Sequence, residues 1–229
     1  MIKRILSLSI SIFTLVGCSA HAPSASKFMN EKNNAGNLGI GISKALGDNY
    51  THRVDDEGNS DGHHDYTEFS YILDAVLSLR FYNTHFGMGL TEDFLLRLDA
   101  GYSNDYFGIM VWGIPYVVDD DAKLLKPFGA TLIQQYPINS EFKVGISEYF
   151  SNNSYADVYR DDCCTLDTDN YTLFYKEIGT GIYLTYKNFS FEFRYGNELN
   201  SSNQRFYLDI NAMFGFPIND NKNAESHKN

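Results

Sequence analysis

Residues 189–196 read Phe189-Ser190-Phe191-Glu192-Phe193-Arg194-Tyr195-Gly196, an aromatic ring at every second position. A β-strand sends successive side chains to opposite faces, so the four rings share one face and Ser190, Glu192, Arg194 and Gly196 the other. Residues 206–216 repeat the pattern. Phe206, Leu208, Ile210, Ala212, Phe214 and Phe216 fall on one face, and Tyr207, Asp209, Asn211, Met213 and Gly215 on the other. At 3.6 residues per turn a helix would scatter both sets around its axis, so the period decides for strands.

The same alternation runs backward along the chain. Segment 142–150 sets Phe142, Val144, Ile146 and Phe150 against Lys143, Gly145, Ser147 and Tyr149, with Glu148 interrupting the apolar set. Segment 94–102 opposes Phe94, Leu96, Leu98, Ala100 and Tyr102 to Leu95, Arg97, Asp99 and Gly101. Segment 67–82 opposes Phe69, Tyr71, Leu73, Ala75, Leu77, Leu79 and Phe81 to Glu68, Asp74, Ser78 and Arg80. Strands over 37–47, 84–91, 106–118, 126–137 and 169–186 complete a set of ten. Segment 106–118 is apolar on both faces around Trp112, and 169–186 changes phase near Lys176, which predicts a bulge or a twist. No stretch between the ends predicts a helix.

The links divide into two kinds. Ser103-Asn104-Asp105, Ile138-Asn139-Ser140 and Lys187-Asn188 are tight, while 48–66, 119–125, 151–168 and 197–203 are longer and polar. Short turns at one rim and long loops at the other fit an up-and-down antiparallel β-barrel of about 8–10 strands. Aromatic residues make up 15% of the chain, with 17 Tyr and 17 Phe. Many stand near inferred strand ends, where a ring with a polar tip suits a membrane–water interface. Over residues 37–217 the pattern resembles small outer-membrane β-barrel proteins, which implies apolar faces turned to lipid.

Period alone permits the inverse arrangement, a soluble β-sandwich or closed barrel with the apolar faces inward. The polar faces are sparse in charge, rich in small polar residues, and of mixed sign. Glu68, Asp74, Arg80, Arg97, Asp99, Glu192, Arg194 and Asp209 are therefore expected as a paired polar network inside a narrow lumen, since a buried charge persists only with a partner. A lumen of that width is not expected to pass solutes by general diffusion.

The N-terminus carries a different signal. Lys3 and Arg4 precede an apolar run from Ile5 to Val16, shorter than the roughly 20 residues of a spanning helix, and Leu15-Val16-Gly17-Cys18 follows. This resembles the lipobox of bacterial lipoproteins. The resemblance implies that Cys18 is lipidated, that residues 1–17 are a signal peptide removed on export, and that Ser19 permits release to the outer membrane. Residues 18–36 are then expected as a lipidated tether at the inner leaflet, 37–218 as the barrel domain and 219–229 as a flexible polar tail. Lys3 and Arg4 leave with the signal, which takes the formal charge from −11 to −13. So acidic a chain is not expected to bind nucleic acid, and its expected partner is membrane lipid, through Cys18 and the barrel surface.

Candidates for chemistry are few. The loop from His52 to Asp65 gathers acids and histidines, with Asp61, His63, His64 and Asp65 as weak metal ligands. Its spacing matches no calcium loop, and adjacent histidines on an extended chain point apart. Cys163 and Cys164 are adjacent in a polar, acidic segment. In an oxidising compartment they are a vicinal disulfide, a link to another chain or a thiol pair. His85 is the histidine that falls inside an inferred strand, and no Gly-x-Ser-x-Gly elbow occurs. No cofactor and no catalytic residue is expected. The sequence favours a structural or surface-interaction role in the envelope, ahead of a soluble lipoprotein binding a small or lipidic ligand, and a barrel hydrolase acting on envelope lipid.

Overall fold

The computed structural model describes residues 18–47, 53–54, 60–61, 70–90, 96–115, 127–158, 170–199 and 203–218. Strand β1 spans Cys18–Ala20 and helix α1 Ala25–Met29. Then follow β2 (Ala35–Gly47), β3 (Arg53–Val54), β4 (Ser60–Asp61), β5 (Ser70–Phe81), β6 (Thr84–Leu90) and β7 (Leu96–Ser103). Next come β8 (Phe107–Gly113), β9 (Phe128–Pro137), β10 (Phe142–Val158), β11 (Asn170–Tyr186), β12 (Phe189–Glu198) and β13 (Gln204–Pro217).

Strand β2 and strands β5 to β13 each pair antiparallel with the next, and β13 returns to pair with β2 from Arg205↔Gly47 to Pro217↔Ala35. The result is a closed, ten-stranded, up-and-down antiparallel barrel, with β3 and β4 as a small hairpin in the link between β2 and β5. Tight turns at 82–83, 104–106, 138–141 and 187–188 lie at one rim. The ends of β2, β6, β8, β10 and β12, and the starts of β5, β7, β9, β11 and β13, lie at the other. Tyr82 and Asn83 both have positive φ, 47° and 69°, which a two-residue hairpin loop needs to match the twist of its strands.

The wall is apolar outside and polar inside. Phe191, Phe193, Leu208, Ile210 and Phe214 are 47, 45, 47, 48 and 38% exposed. The side chains between them, Glu192, Arg194, Tyr207, Asp209 and Asn211, are buried. This excludes the alternative of a soluble sandwich or barrel with Phe and Leu inside. Strand β12 has ten residues, about 33 Å of strand. At the roughly 40° tilt of such barrels that gives about 25 Å of height, the apolar band of a transmembrane barrel.

Three expectations are corrected. Strand β10 runs on to Val158, and the β10–β11 register is continuous from Phe142↔Tyr186 to Val158↔Asn170. No bulge occurs near Lys176. The apparent change of phase arises because Tyr175 and Glu177 face the lumen while Lys176 and Ile178 face out.

The largest correction concerns residues 18–36, expected as a tether. Residues 22–29 are buried inside the barrel and include helix α1, and β2 already begins at Ala35. The segment lacks a period because it meets the wall on every side. Ser24 caps α1, its Oγ accepting from Lys27 N at 3.3 Å. Phe28 and Met29 pack with Met110, Ile133 and Tyr183. That contact explains why segment 106–118 is apolar on both faces: Ile109 and Val111 face outward, Met110 and Trp112 inward. The wall thins to glycine there. A Cβ on Gly108 would stand 2.6 Å from Met29 Sδ.

Candidate functional site

The features that could carry function converge in the lumen, where the wall's polar side chains meet the N-terminal segment. Strand alternation places the groups at two-residue intervals, and barrel closure turns them toward one axis.

Near the tight-turn rim, Glu31 is the centre of a charged cluster. Its Oε2 is 2.5 Å from His85 Nδ1, and its Oε1 accepts from Ser78 Oγ at 2.5 Å. The Arg80 guanidinium donates to the Glu31 carbonyl at 2.9 Å and to the Ser103 carbonyl at 2.6 Å. His85 Nε2 meets Asp99 Oδ1. Asp99 Oδ2 is 3.4 Å from Arg97 Nε, and Arg97 Nη2 is 3.2 Å from Asp74 Oδ1. Lys27 Nζ completes the chain by pairing with Asp74 Oδ2. Along the network each carboxylate faces a lysine, an arginine or the His85 ring, so no buried carboxylate lacks a partner.

At mid-height, Glu192 receives the start of α1. Its Oε2 accepts from Ser24 Oγ at 2.6 Å and from the Ser26 amide at 2.9 Å. Ser26 Oγ donates to Ser190 Oγ at 2.9 Å, and Asn211 Nδ2 to Ser24 Oγ at 2.9 Å. Arg194 forks onto Asp209 through Nε (2.9 Å) and Nη2 (3.1 Å), and its Nη1 donates to the Ala22 carbonyl at 2.5 Å. Ser43 also donates to Asp209.

Toward the long-loop rim, Glu177 accepts from Tyr149 and Tyr207 hydroxyls at 2.8 and 2.9 Å. Arg205 lies 3.5 Å from both Glu177 and Glu198, with its guanidinium 4.1 Å from the Tyr175 ring centroid. His21 stacks obliquely on Tyr207, centroids 4.9 Å apart.

Of the residues expected in a lumen network, Asp74, Arg80, Arg97, Asp99, Glu192, Arg194 and Asp209 face the interior, and Glu68 lies outside the described residues. The sequence reading missed Ser24, Ser26, Lys27 and Glu31, because they are assigned to the lumen by tertiary packing alone. Glu177, Arg205 and Tyr207 share the inward parity of their strands and were findable from it. Cys18 opens β1 and Asp61 closes β4. His63, His64, Asp65, Cys163 and Cys164 lie outside the described residues. Among the described residues no group of three or more His, Cys, Asp or Glu is arranged to hold a metal.

The geometry suits filling and latching. Both nitrogens of His85 face carboxylates, which leaves neither ring nitrogen to take a proton from a serine. The segment occupies the axis that a solute would follow.

No protein-family model matches the chain, and no curated protein matches it. Solved structures similar to it include Neisserial surface protein A (10% identity, 79% of this chain and 97% of that one, TM-score 0.41). Two others are the outer membrane protease OmpT from Escherichia coli (8%, 80% and 97%, 0.42) and Ail, the attachment invasion locus protein of Yersinia pestis (8%, 80% and 98%, 0.36).

Proposed function

We propose that the chain is a lipid-anchored barrel of the bacterial outer membrane, with a structural or surface-interaction role exercised through its long polar loops. The observation that carries this is the inversion of the wall: an apolar belt outside, and a charge-paired interior filled by the chain's own residues 22–31. A soluble protein exposing so continuous an apolar surface would associate or aggregate, whereas hydrocarbon matches it. Among the described residues the tight turns gather at one rim. By the usual arrangement of such barrels this rim faces the periplasm and the long links face outward.

The lipid on Cys18 is a second attachment in this reading, supported by the Leu15-Val16-Gly17-Cys18 box. The filled lumen favours neither general diffusion nor a core cavity for a small ligand.

The test separates the two attachments. Full-length protein and a Cys18→Ala variant, exported through an ordinary signal peptide, are expected to remain in alkali-washed outer membranes and to migrate differently on gels with and without heating. Release of Cys18→Ala into the soluble fraction as a folded body would overturn the barrel insertion. An unlipidated Cys18 in the mature protein would overturn the anchor alone.

A further inference from the structure

The direction in which residues 18–34 run through the barrel bears on which side of the membrane the N-terminus occupies. Strand β1 pairs on β10 with the register Cys18↔Ala156, Ser19↔Tyr155, Ala20↔Ser154. Strand β9 ends its own ladder on β10 at Asn152↔Phe128. Residues 18–20 therefore continue the wall past the end of β9, on the side of the 159–169 link. From there the segment moves steadily toward the opposite rim. Along β12, which rises from the tight turn at 187–188, Ala22 meets Arg194, Ser24 and Ser26 meet Glu192, and Ser26 reaches Ser190. Below that, Glu31 meets His85 and Arg80, and Asn33 reaches Asn83 in the tight turn between β5 and β6 at 3.1 Å. Strand β2 then starts at that rim, inside a wall whose ladder is closed around the segment.

We infer that this barrel carries its own N-terminal segment across the membrane, so that residues 18–20 stand on the face of the long loops. A lipid on Cys18 then enters the leaflet beneath those loops, opposite the inner-leaflet position that the sequence suggests. The inference rests on the membrane-inserted reading with long loops outward. Because no gap separates β13 from β2, the segment lies inside before that seam closes or is threaded through afterwards. The lumen walls supply the partners that make the passage stable: carboxylates for Ser24, Ser26 and Lys27, and a guanidinium for the Ala22 carbonyl.

The experiment uses the full chain in outer membranes with Cys163→Ser and Cys164→Ser. Directly paired residues of an antiparallel ladder have Cα atoms about 4.5–5.5 Å apart, within disulfide range. Ala20→Cys with Ser154→Cys is expected to form a disulfide, read as a linked peptide pair by mass spectrometry. Ala20→Cys alone is expected to react with a membrane-impermeant maleimide on intact cells, above the level of the parent that lacks it. A thiol at position 20 that reacts only after the outer membrane is permeabilised overturns the surface placement, whether or not the link forms. Absence of the 20–154 link together with absent labelling of intact cells overturns the threading. The mass of the N-terminal peptide is a separate readout. A linked chain with unlipidated Cys18 keeps the threading and removes the anchor.

Discussion

Glu31 Oε2 and His85 Nδ1 stand 2.5 Å apart across 54 residues of sequence, joining the end of the lumen segment to the barrel wall. Because His85 also meets Asp99, and Glu31 also takes Ser78 and holds Arg80 through its carbonyl, this contact is the hub of the lower network.

Glu31→Ala is expected to loosen the segment without unfolding the wall. Removing one partner of a buried pair commonly costs about 3–5 kcal/mol, because the other charge stays buried. The expected readouts are a lower temperature of heat modification and brief conducting events in planar bilayers where the parent is silent. A variant indistinguishable from the parent in both would show that the hub does not hold the segment.

Gly108→Leu tests the apolar seat of the same segment. A Cβ at this position already stands 2.6 Å from Met29 Sδ and 3.3 Å from the Phe28 ring. The larger side chain is expected to displace α1, and amide hydrogen exchange over residues 24–31 should rise while the β11–β13 ladders keep their protection. Unchanged exchange in the helix would contradict the packing described.

Arg194→Lys probes geometry at constant charge. The guanidinium serves Asp209 through two nitrogens and the Ala22 carbonyl through a third, a fork that an ammonium does not reproduce. A loss of roughly 1–3 kcal/mol is expected, the cost of leaving a buried acceptor unsatisfied. Equal stability in urea titrations of the vesicle-inserted protein would count against it.

Phe193→Arg tests the belt. At the bilayer midplane an outward arginine costs about 2–4 kcal/mol, falling toward the interfaces. Urea titration of protein folded into vesicles should show a loss of that order, and the alkali-resistant fraction should drop. A soluble barrel would tolerate arginine at this exposed position.

The ten strands were legible because each is a local statement. Alternation over 189–196 or 206–216 fixes which residues share a face, whatever the rest of the chain does. The link lengths added the up-and-down order. Glu148 illustrates how far the period can be trusted: it interrupts the apolar set in the sequence, and it does point outward, exposed, among Ile146 and Phe150. The lumen network was legible in composition and parity, through charges of both signs at positions such as Arg97, Asp99, Arg194 and Asp209. Which charge meets which was not. Arg194 has Glu192 two residues away on its own strand, yet it forks onto Asp209 across the β12–β13 ladder.

The sequence by itself determined the strands and their two faces, because a period of two is written in neighbouring residues. It left open whether Phe191 and Leu208 point outward or into a core, since turning the barrel inside out preserves every alternation. Tertiary closure decided that, by burying Glu192, Asp209 and Arg194 together. Tertiary structure alone also decided the fate of residues 18–34. A segment that runs along β12 and then turns to β5 and β6 on the other side of the lumen has no period, so Lys27 and Glu31 gain meaning only when Asp74 and His85 are brought around them.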